Sequence, residues 1–465
     1  MGVPGFFSWL IRKYKNIRID INSICNVNPI NDNYWLYLDS NSIFHPCCQE
    51  ILEKNKYCTD VNNIECMMID NILKTFERIF KIVPVKNIYI AVDGVPPISK
   101  IRQQRFRRFM HESNNDIWSS IVITPGTIFM DKLHNSIITF IDEYRKCNDV
   151  NILYSSVYEN GEGEQKIFNH IRNDNIINAL IFGLDADLIF ISILNHCDRN
   201  IFLMRDEHLV VSMNIAIDCI KLLMPNVEDF VLLCYLIGND FIPNIACVTP
   251  YEIDHIINIY NKCQKKIVIN GVIDKDTLRY FLKMLAKSEK YFFNKIIEKK
   301  IIPDHKLNYN IYKKYWIYDY YHYYTGVVYD LNDVILNMCS EYIYGICWIY
   351  DYYKCGIYND WQYSYLCAPL LFHLQNDHNI LYQQIHKCID ITIDEHILSV
   401  LPKKFRCIMN KKILDHIEKY DSLIIDYQFP THFKLDTFFK SKSFKYIPMI
   451  PNVDMANIKQ YLCNK

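Results

Sequence analysis

The sequence predicts an α/β protein with a parallel-sheet core and a helical, aromatic-rich second region. Three apolar runs of strand length end in aspartate: YWLYLD reaches Asp39, NIYIAVD reaches Asp93 and NALIFGLD reaches Asp185. The stretches between these runs are long enough for crossover helices, as parallel strands require. From Ile311 onward the composition changes to tyrosine-dense segments such as YWIYDYYHYYTG.

Length and composition limit the number of domains and the class of protein. A chain of 465 residues predicts two or three domains. With 50% hydrophobic and 22% charged residues, wholesale disorder is excluded. The 51 basic and 52 acidic side chains give a net charge of −1, which excludes a uniformly basic coat but not a local basic pocket. We predict a core over 1–262, a linker of amphipathic helices over 263–310 and a second region over 311–465 that packs on the core.

Cysteine usage and hydropathy indicate the compartment. The 18 cysteines include no CxxC pair, so we expect reduced thiols, no zinc site and an intracellular protein. The most apolar windows are too short to cross a bilayer or contain acids, and the first residues lack the layout of a signal peptide. We therefore expect no membrane partner.

A set of acids follows the predicted strands. The carboxyl ends of parallel strands meet at one sheet edge, so acids placed there should cluster. The alternative is that each Asp caps a helix or a turn. In extended backbone, acids two residues apart face the same side, as expected for the NGEGEQKI and GLDADL motifs. The candidate acids are Asp39, Asp93, Glu162, Glu164, Asp185, Asp187 and Asp240.

This acid set predicts a metal centre. Like charges a few Å apart are costly at low dielectric, and divalent cations would relieve that repulsion. Oxygen ligands without His or Cys favour Mg²⁺, or Mn²⁺, over zinc. Two such ions about 3.5–4 Å apart would activate water and support in-line cleavage of a phosphodiester.

A cationic cluster lies in SKIRQQRFRRFM. Of the 13 arginines in the chain, four lie within seven residues, beginning at Arg102. If the segment is helical, Lys100, Gln104, Arg107 and Arg108 share a face. A solvated basic face is the usual explanation of such a run. The scarcity of arginine elsewhere favours recognition of a terminal phosphate, which guanidinium groups bind in a bidentate manner.

An ordered series of motifs resembles the XRN-type 5′→3′ exoribonuclease family. The series begins with MGVPGFFSWL and continues with LYLDSNSIFHPC, AVDGVPP, SKIRQQRFRRF, ITPGTIFM, GEGEQKI, GLDADLI and DFVLLCYLIGNDFIP. CWIYDYYKCGIYNDWQYSYLCAPLL, LSVLPKKF and PTHFKLD resemble the second region that the family shares. One departure is Ser42, which stands where the family has a small glycine near the first acid.

The resemblance implies a nuclease core of the PIN/FEN-like type and a specific activity. That activity is processive, Mg²⁺-dependent hydrolysis of 5′-monophosphorylated single-stranded RNA to 5′-mononucleotides. The seven acids fall on the family's metal-binding acids, and the four residues from Lys100 to Arg108 fall on its 5′-monophosphate pocket. His45 falls on a histidine that stacks on a base, and Trp348 on its aromatic partner. The alternatives are a structural role for His45 and core packing for Trp348.

Two other functions stay open from the sequence. One is a flap-type, structure-specific 5′ nuclease acting on DNA, and the other is an inactive RNA-binding protein of the same fold. A decapping enzyme is considered as a partner. We expect a cytoplasmic rather than a nuclear location, and a compact member of the family encoded by a virus and acting in the host-cell cytoplasm would fit.

Overall fold

The computed structural model forms two compact units that interleave along the chain. The sheet unit comprises Tyr14–Ala216, Ile389–Thr431 and Val453–Lys465, and the aromatic unit comprises Met1–Lys13, Ile217–Cys388 and His432–Asn452. The predicted divisions at residues 262 and 310 stay predictions, and residues 299–310 lie outside the described residues. The described residues are 3, 5–21, 33–111, 118–298, 316–327, 329–356, 360–376, 390–419, 428–437 and 446–463.

The described residues contain eleven strands and a larger number of helices. The strands are β1 Arg18–Asp20, β2 Tyr34–Asp39, β3 Asn87–Ala91, β4 Asn151–Ser155, β5 Asn178–Phe182, β6 Asn200–Met204, β7 Leu209–Ser212, β8 Val268–Ile269, β9 Val272–Ile273, β10 Lys434–Asp436 and β11 Ile447–Met449. The α-helices are α1 Phe6–Lys13, α2 Asn41–Lys54, α3 Val61–Ile82, α4 Ile98–Phe109, α5 Ile128–Cys147, α6 Gly163–Asn173, α7 Asp187–Leu194, α8 Met213–Leu223, α9 Val227–Cys234, α10 Ile253–Cys263, α11 Lys275–Ala286, α12 Glu289–Glu298, α13 Trp316–Thr325, α14 Leu331–Cys355, α15 Leu371–Leu374, α16 Ile393–Val400, α17 Lys411–Lys419 and α18 Met455–Cys463. In the part of the chain that is described, none of these helices has the length and apolar character needed to span a bilayer.

The sheet unit is built on a seven-stranded sheet of order β1-β7-β6-β5-β2-β3-β4. The five strands from β6 to β4 in this order run parallel, which confirms the predicted parallel sheet. Strands β7 and β1 extend it as an antiparallel edge that the sequence reasoning did not anticipate. The central strand β2 is buried at every position but one, as expected for a strand covered on both faces.

Helices cover both faces of this sheet. Leu36 of β2 belongs to an apolar core that includes Phe44 of α2 and Phe76 of α3. The next residue along β2, Tyr37, points to the opposite face because successive side chains alternate. Its hydroxyl is hydrogen-bonded to Nδ1 of His170 in α6 at 2.9 Å.

The aromatic unit is organised around the long helix α14, which confirms the predicted helical, aromatic-rich region. Tyr342 of α14 donates a hydrogen bond to the carbonyl oxygen of Pro243 at 2.9 Å. Gly345 permits close packing, since a Cβ there would lie 2.5 Å from Cη2 of Trp361. The segment 263–310 contains α11 and α12 in its described part, as the amphipathic pattern predicted.

Two buried carboxylates fasten backbone segments within the aromatic unit. Asp229 of α9 is 0% exposed and accepts hydrogen bonds from the amide groups of Ile267 and Val268 at 2.9 and 2.6 Å. It also accepts one from the Tyr260 hydroxyl. Glu289 at the start of α12 accepts from the amide of Leu371 at 2.6 Å and from the following amide at 3.1 Å. Each carboxylate thereby satisfies backbone donors that would otherwise be buried without a partner.

Candidate active site

Six of the seven predicted acids lie in the sheet unit, at the carboxyl edge of its parallel strands. Asp39 ends β2, and the parallel register pairs it with Ala91, the last residue of β3. The segments that follow β3, β4 and β5 contribute the other five acids. The six are Asp39, Asp93, Glu162, Glu164, Asp185 and Asp187. We call them the acid cluster. The predicted convergence of strand-end acids is therefore observed for these six.

Asp39 is a buried member of the acid cluster whose charge is strongly disfavoured. It is 6% exposed, and its Oδ2 accepts a hydrogen bond from the Ser42 hydroxyl at 2.6 Å. Burial, followed by the neighbouring charge of Asp93, raises the pKa of Asp39 to about 7, against the hydrogen bond from Ser42. Asp185 and Glu162 act in the same direction as Asp93. The carboxylate therefore lies among like charges, as a metal-binding acid would.

Asp93 is held by two donors. The amide of Gly163 donates to its Oδ1 at 2.6 Å, and Nδ2 of Asn41 donates to its Oδ2 at 2.8 Å. Burial still raises the pKa of Asp93, in opposition to the Gly163 amide. Gly163 is required for this approach, since a Cβ there would lie 3.0 Å from Oδ1 of Asp39 and 3.2 Å from Oδ1 of Asp93.

Glu162 and Glu164 lie at the start of helix α6, so the prediction of an extended pair is wrong here. Glu162 is the N-cap residue and Glu164 lies in the first helical turn. Burial, followed by the charge of Glu162, raises the pKa of Glu164 well above its usual value. Oε1 of Glu164 is buried and has no hydrogen-bond partner among the described residues. Helix N-termini favour negative charge, so the helix start offsets part of the repulsion.

The extended-pair prediction is also wrong for Asp185 and Asp187. Asp185 lies in the loop after β5, and Asp187 is the first residue of helix α7. Asp187 is 0% exposed. The charges of both residues raise the pKa of Glu164, which connects this pair electrostatically to the rest of the acid cluster.

Two cations that were not selected from the sequence lie against the acid cluster. Lys166 of α6 donates to the carbonyl oxygens of Val92 and Ser156, both at 2.7 Å. Burial lowers the pKa of Lys166 to about 8, against the charge of Asp93. Arg205 donates to the carbonyl oxygen of Asp185 at 2.8 Å. Lys166 belongs to the GEGEQKI motif, so its place beside two acids was a signal that could have identified it.

The chemistry of the acid cluster suits a hard divalent cation. Its donors are all carboxylate oxygens, the type that Mg²⁺ prefers, and the buried Oε1 of Glu164 would gain a partner. As placed, no three described His, Cys, Asp or Glu side chains form a group that could hold a metal ion. Protein donors engage the oxygens instead: Ser42 binds Asp39, and Lys100 Nζ lies 2.6 Å from Glu162 Oε1.

The seventh acid, Asp240, belongs to the aromatic unit. It lies in a loop after the short 3₁₀ helix Tyr235–Ile237, as its position after an apolar run predicted. Its role as a metal ligand stays a prediction.

The four predicted phosphate-binding residues lie on helix α4, so the segment is helical, as the shared face requires. Lys100 is 6% exposed and forms the ion pair with Glu162. Arg107 is exposed. Arg108 donates from Nη2 to the Thr124 hydroxyl at 2.7 Å, and burial lowers its pKa to about 9. Gln104 accepts at Oε1 from Nη1 of Arg108 at 3.4 Å.

The other two arginines of the cationic cluster are buried in the sheet unit. Arg105 is 0% exposed and donates from Nη1 to the carbonyl oxygen of Ser399 at 2.9 Å. Its guanidinium lies 4.7 Å from the ring centroid of Phe429. Arg102 is 7% exposed and lies 4.8 Å from the ring centroid of Phe106. The run is therefore divided between a structural face and the face with the predicted phosphate ligands.

The two predicted base-stacking residues differ in exposure. His45 on α2 is exposed as a residue, although partial burial of the ring and then the charges of Arg107 and Arg108 lower its pKa to about 4. Trp348 is 1% exposed and stacks on Tyr352 at 5.1 Å between ring centroids. Since Trp348 presents no exposed ring face, its geometry is that of core packing and does not support the stacking role.

The family model described as the XRN 5′-3′ exonuclease N-terminus matches residues 1–117 and 111–207. The model described as the Xrn1 helical domain matches 225–314 and 305–462. A solved structure of the flap endonuclease D15 of bacteriophage T5 has a TM-score of 0.31 over 57% of this chain and 88% of its own, at 9% identity. That similarity is too low to support an argument.

Curated relatives share part of their length with this chain. The 5′-3′ exoribonuclease 2 homolog of Drosophila melanogaster is 26% identical over 63% of this chain and 45% of its own length. The 5′-3′ exoribonuclease 1 of Schizosaccharomyces pombe is 30% identical over 63% of this chain and 26% of its own. The chain thus spans less than half of these relatives. Because the two family models match nearly its full length, the chain belongs to the XRN family of 5′-3′ exonucleases.

Proposed function

We propose that the chain is a 5′→3′ exoribonuclease that hydrolyses 5′-monophosphorylated single-stranded RNA to 5′-mononucleotides, processively and with two Mg²⁺ or Mn²⁺ ions. One observation carries the proposal. A single compact unit holds six carboxylates, among which neighbouring charges raise the pKa of Asp39, Asp93 and Glu164, and a buried ion pair between Lys100 and Glu162 joins the acid cluster to the cationic helix α4. Perturbed carboxylates beside a phosphate-binding cation are expected of a phosphodiester hydrolase.

The acid cluster supports metal binding because the repulsion among its carboxylates would be relieved by a bound cation. The local cations offset only part of this repulsion, since Lys100 is paired with Glu162, and Lys166 and Arg205 donate to backbone carbonyl oxygens. In this proposal the six acids hold the ions. When bound, the ions would supply an activated water and stabilise the leaving oxygen. The protein's own part is to hold the acids close, as the Gly163 amide does for Asp93.

The cationic helix supports attack at the first phosphodiester of the RNA. Lys100 interacts electrostatically with Asp93 and Glu164, and Arg108 interacts with Asp93. A 5′-phosphate bound by Lys100 and Arg108 would therefore lie next to the acid cluster. The bond within reach of the acids would be the one that follows the first nucleotide, so the product would be a mononucleotide. Exposed His45, held neutral by its lowered pKa, would be available to stack on a base.

The test compares the 5′ ends of labelled RNA in one assay. RNA with a 5′-hydroxyl, monophosphate or triphosphate, and a branched DNA, are incubated with the protein and Mg²⁺ or with a chelator. We expect digestion of the monophosphorylated RNA alone, releasing mononucleotides, and none with chelator. Equal cleavage of branched DNA would favour the flap-type alternative. Absence of any metal-stimulated cleavage would favour the inactive RNA-binding alternative.

A paired substitution tests the phosphate site within that assay. Arg107→Ala changes an exposed side chain of α4, and Arg78→Ala changes an exposed arginine of α3, which is paired with Glu207 at 2.5 Å. We expect R107A to reduce the preference for the monophosphate end and R78A to retain it. A preference that survives in R107A would place the site elsewhere. A decapping partner and a cytoplasmic location stay predictions.

A further inference from the structure

A buried histidine from the distant helix α16 contacts helix α4 within the sheet unit. His396 is 0% exposed, and its Nε2 lies 3.0 Å from Oε1 of Gln104, although 292 residues separate the two in the sequence. Helix α16 is anchored by a capping box between Thr392 and Glu395, which fixes the start of the helix. The hydrogen bond from Arg105 to the carbonyl of Ser399 secures the same helix on α4.

The neighbours of Gln104 determine which way its side-chain amide points. Arg108 has only hydrogen-bond donors, so the atom that faces its Nη1 at 3.4 Å must be the amide oxygen of Gln104. His396 must then donate from Nε2 to that oxygen. Arg108 is itself fixed by Thr124, whose hydroxyl donates to the carbonyl oxygen of Ile121 at 2.6 Å. The network thus holds Oε1 of Gln104 from two sides.

This orientation leaves the donor end of Gln104 for a ligand. Gln104 is partly exposed, and its Nε2 has no acceptor among the described residues. Nδ1 of His396, by contrast, is buried and has no hydrogen-bond partner among the described residues. Burying a nitrogen without a hydrogen bond costs free energy, which an apolar residue at this position would avoid. Packing alone therefore does not account for a histidine here. Burial and then Arg108 lower the pKa of His396 to about 3, so the ring is neutral and adds no charge to the site.

We infer that His396 is a positioning residue for the 5′-phosphate site. Its Nε2–H fixes the amide of Gln104 so that the two N–H donors face the phosphate oxygens beside Arg108. This inference rests on the proposed function, since it assumes that a 5′-phosphate binds at α4. It makes the phosphate site a product of two sequence regions, α4 and α16, within one compact unit.

The test measures binding rather than turnover. The full chain is titrated in chelator with a short RNA that has a 5′-monophosphate, and with the same RNA ending in a 5′-hydroxyl. His396→Leu removes the donor, and His396→Gln keeps an amide nitrogen near the place of Nε2. His134→Leu is the matched control, since His134 of α5 lies in the same unit and is hydrogen-bonded to the Tyr154 hydroxyl at 3.0 Å.

We expect H396L to weaken binding of the phosphorylated RNA about ten-fold, as loss of one charge-assisted contact would, with the dissociation constant of the hydroxyl RNA unchanged. H396Q and H134L should keep the preference, and Q104L with H396L should be no weaker than Q104L alone. If H396L keeps the preference, or weakens both RNAs equally, the positioning role is overturned. Equal binding of both RNAs by the unchanged chain would overturn the phosphate site, and the inference with it.

Discussion

Both compact units bury carboxylates, but the surroundings of the two sets are opposite in kind. In the aromatic unit, Asp229 and Glu289 each accept at least two hydrogen bonds from backbone amides. In the sheet unit, Asp39 and Glu164 lie among other carboxylates that raise their pKa values. The first arrangement satisfies the chain's own donors, whereas the second leaves repulsion that Lys100 and the nearby hydrogen-bond donors neutralise only in part.

The difference separates acids that hold the fold from acids that are available to ligands. A buried carboxylate that accepts hydrogen bonds from amides stabilises the loops that supply those amides. Its loss leaves the amides buried without an acceptor. A carboxylate held against like charges destabilises the folded state until a cation binds. Substitutions in the two units should therefore have opposite effects on activity and on stability.

The largest expected effect comes from Asp187, the fully buried acid at the start of α7. Asp187→Asn keeps the shape and removes one charge, so we expect loss of about 10³-fold in the digestion rate, equivalent to about 4 kcal/mol. The melting temperature in chelator should be unchanged or higher, since one repelling charge is gone. Rate and melting temperature are measured on the same preparation. Asp149→Asn, at a side chain that is 97% exposed, is the control. Near-normal turnover by D187N would remove Asp187 from the metal site.

The opposite outcome is expected for Asp229 in the aromatic unit. Asp229→Ala leaves the amides of Ile267 and Val268 without their acceptor. We expect the free energy of unfolding to fall by about 3 kcal/mol, with the rate per folded molecule unchanged. Urea unfolding measures the loss, and Asp254→Ala, at a side chain that is 58% exposed, is the control in the same unit. A variant as stable as the control would contradict the structural role.

The pH dependence of stability should distinguish Glu289 from an ordinary acid. Burial raises the pKa of Glu289 to about 7, against its two amide donors. An acid whose pKa is higher in the folded than in the unfolded state binds more protons when folded, so its contribution to stability falls as the pH rises from about 4.5 to about 7. The fall should be about 3 kcal/mol. Glu289→Gln should lack this change, so the difference in unfolding free energy between E289Q and the unchanged chain is measured from pH 4.5 to 7.5. A constant difference would contradict the raised pKa.

Sequence reasoning succeeded where one short segment determined the outcome. Asp39 and Asp93 were placed at a common sheet edge because each follows an apolar strand, and the register of β2 with β3 bears this out. Residue spacing placed Lys100 and Arg108 on one face provided that the segment is helical, and the segment forms helix α4. In these cases the local pattern and the tertiary structure agree.

The sequence reasoning failed where tertiary contacts decided. Glu162 and Glu164 were placed in extended backbone, where residues two apart face the same side, yet they begin a helix. His396 gave no signal, since its partner Gln104 lies 292 residues away. The aromatic density around Trp348 could not distinguish a stacking ring from a core ring, and only its burial does. These roles depend on long-range packing, which local periodicity does not encode.

The smallest expected effect concerns Ser42, which connects Asp39 to the loop after β5. Its hydroxyl donates to Asp39 at 2.6 Å and accepts from the amide of Leu184 at 3.0 Å. Ser42→Ala removes both hydrogen bonds but no charge. Asp39 is then still repelled by the neighbouring carboxylates but is no longer oriented by the Ser42 hydroxyl.

Because the lost contacts orient a proposed metal ligand, Ser42→Ala should raise the Mg²⁺ concentration needed for half-maximal digestion about ten-fold. The rate at saturating Mg²⁺ and the melting temperature in chelator should change little. A Mg²⁺ titration measures this, with Ser136→Ala, a partly exposed serine of α5, as the control. A lower saturated rate at unchanged Mg²⁺ dependence would mean that Ser42 acts on the RNA rather than on the metal. An unchanged titration would mean that the acid cluster orients Asp39 without help, as the satisfied carboxylates of the aromatic unit are oriented by their amides.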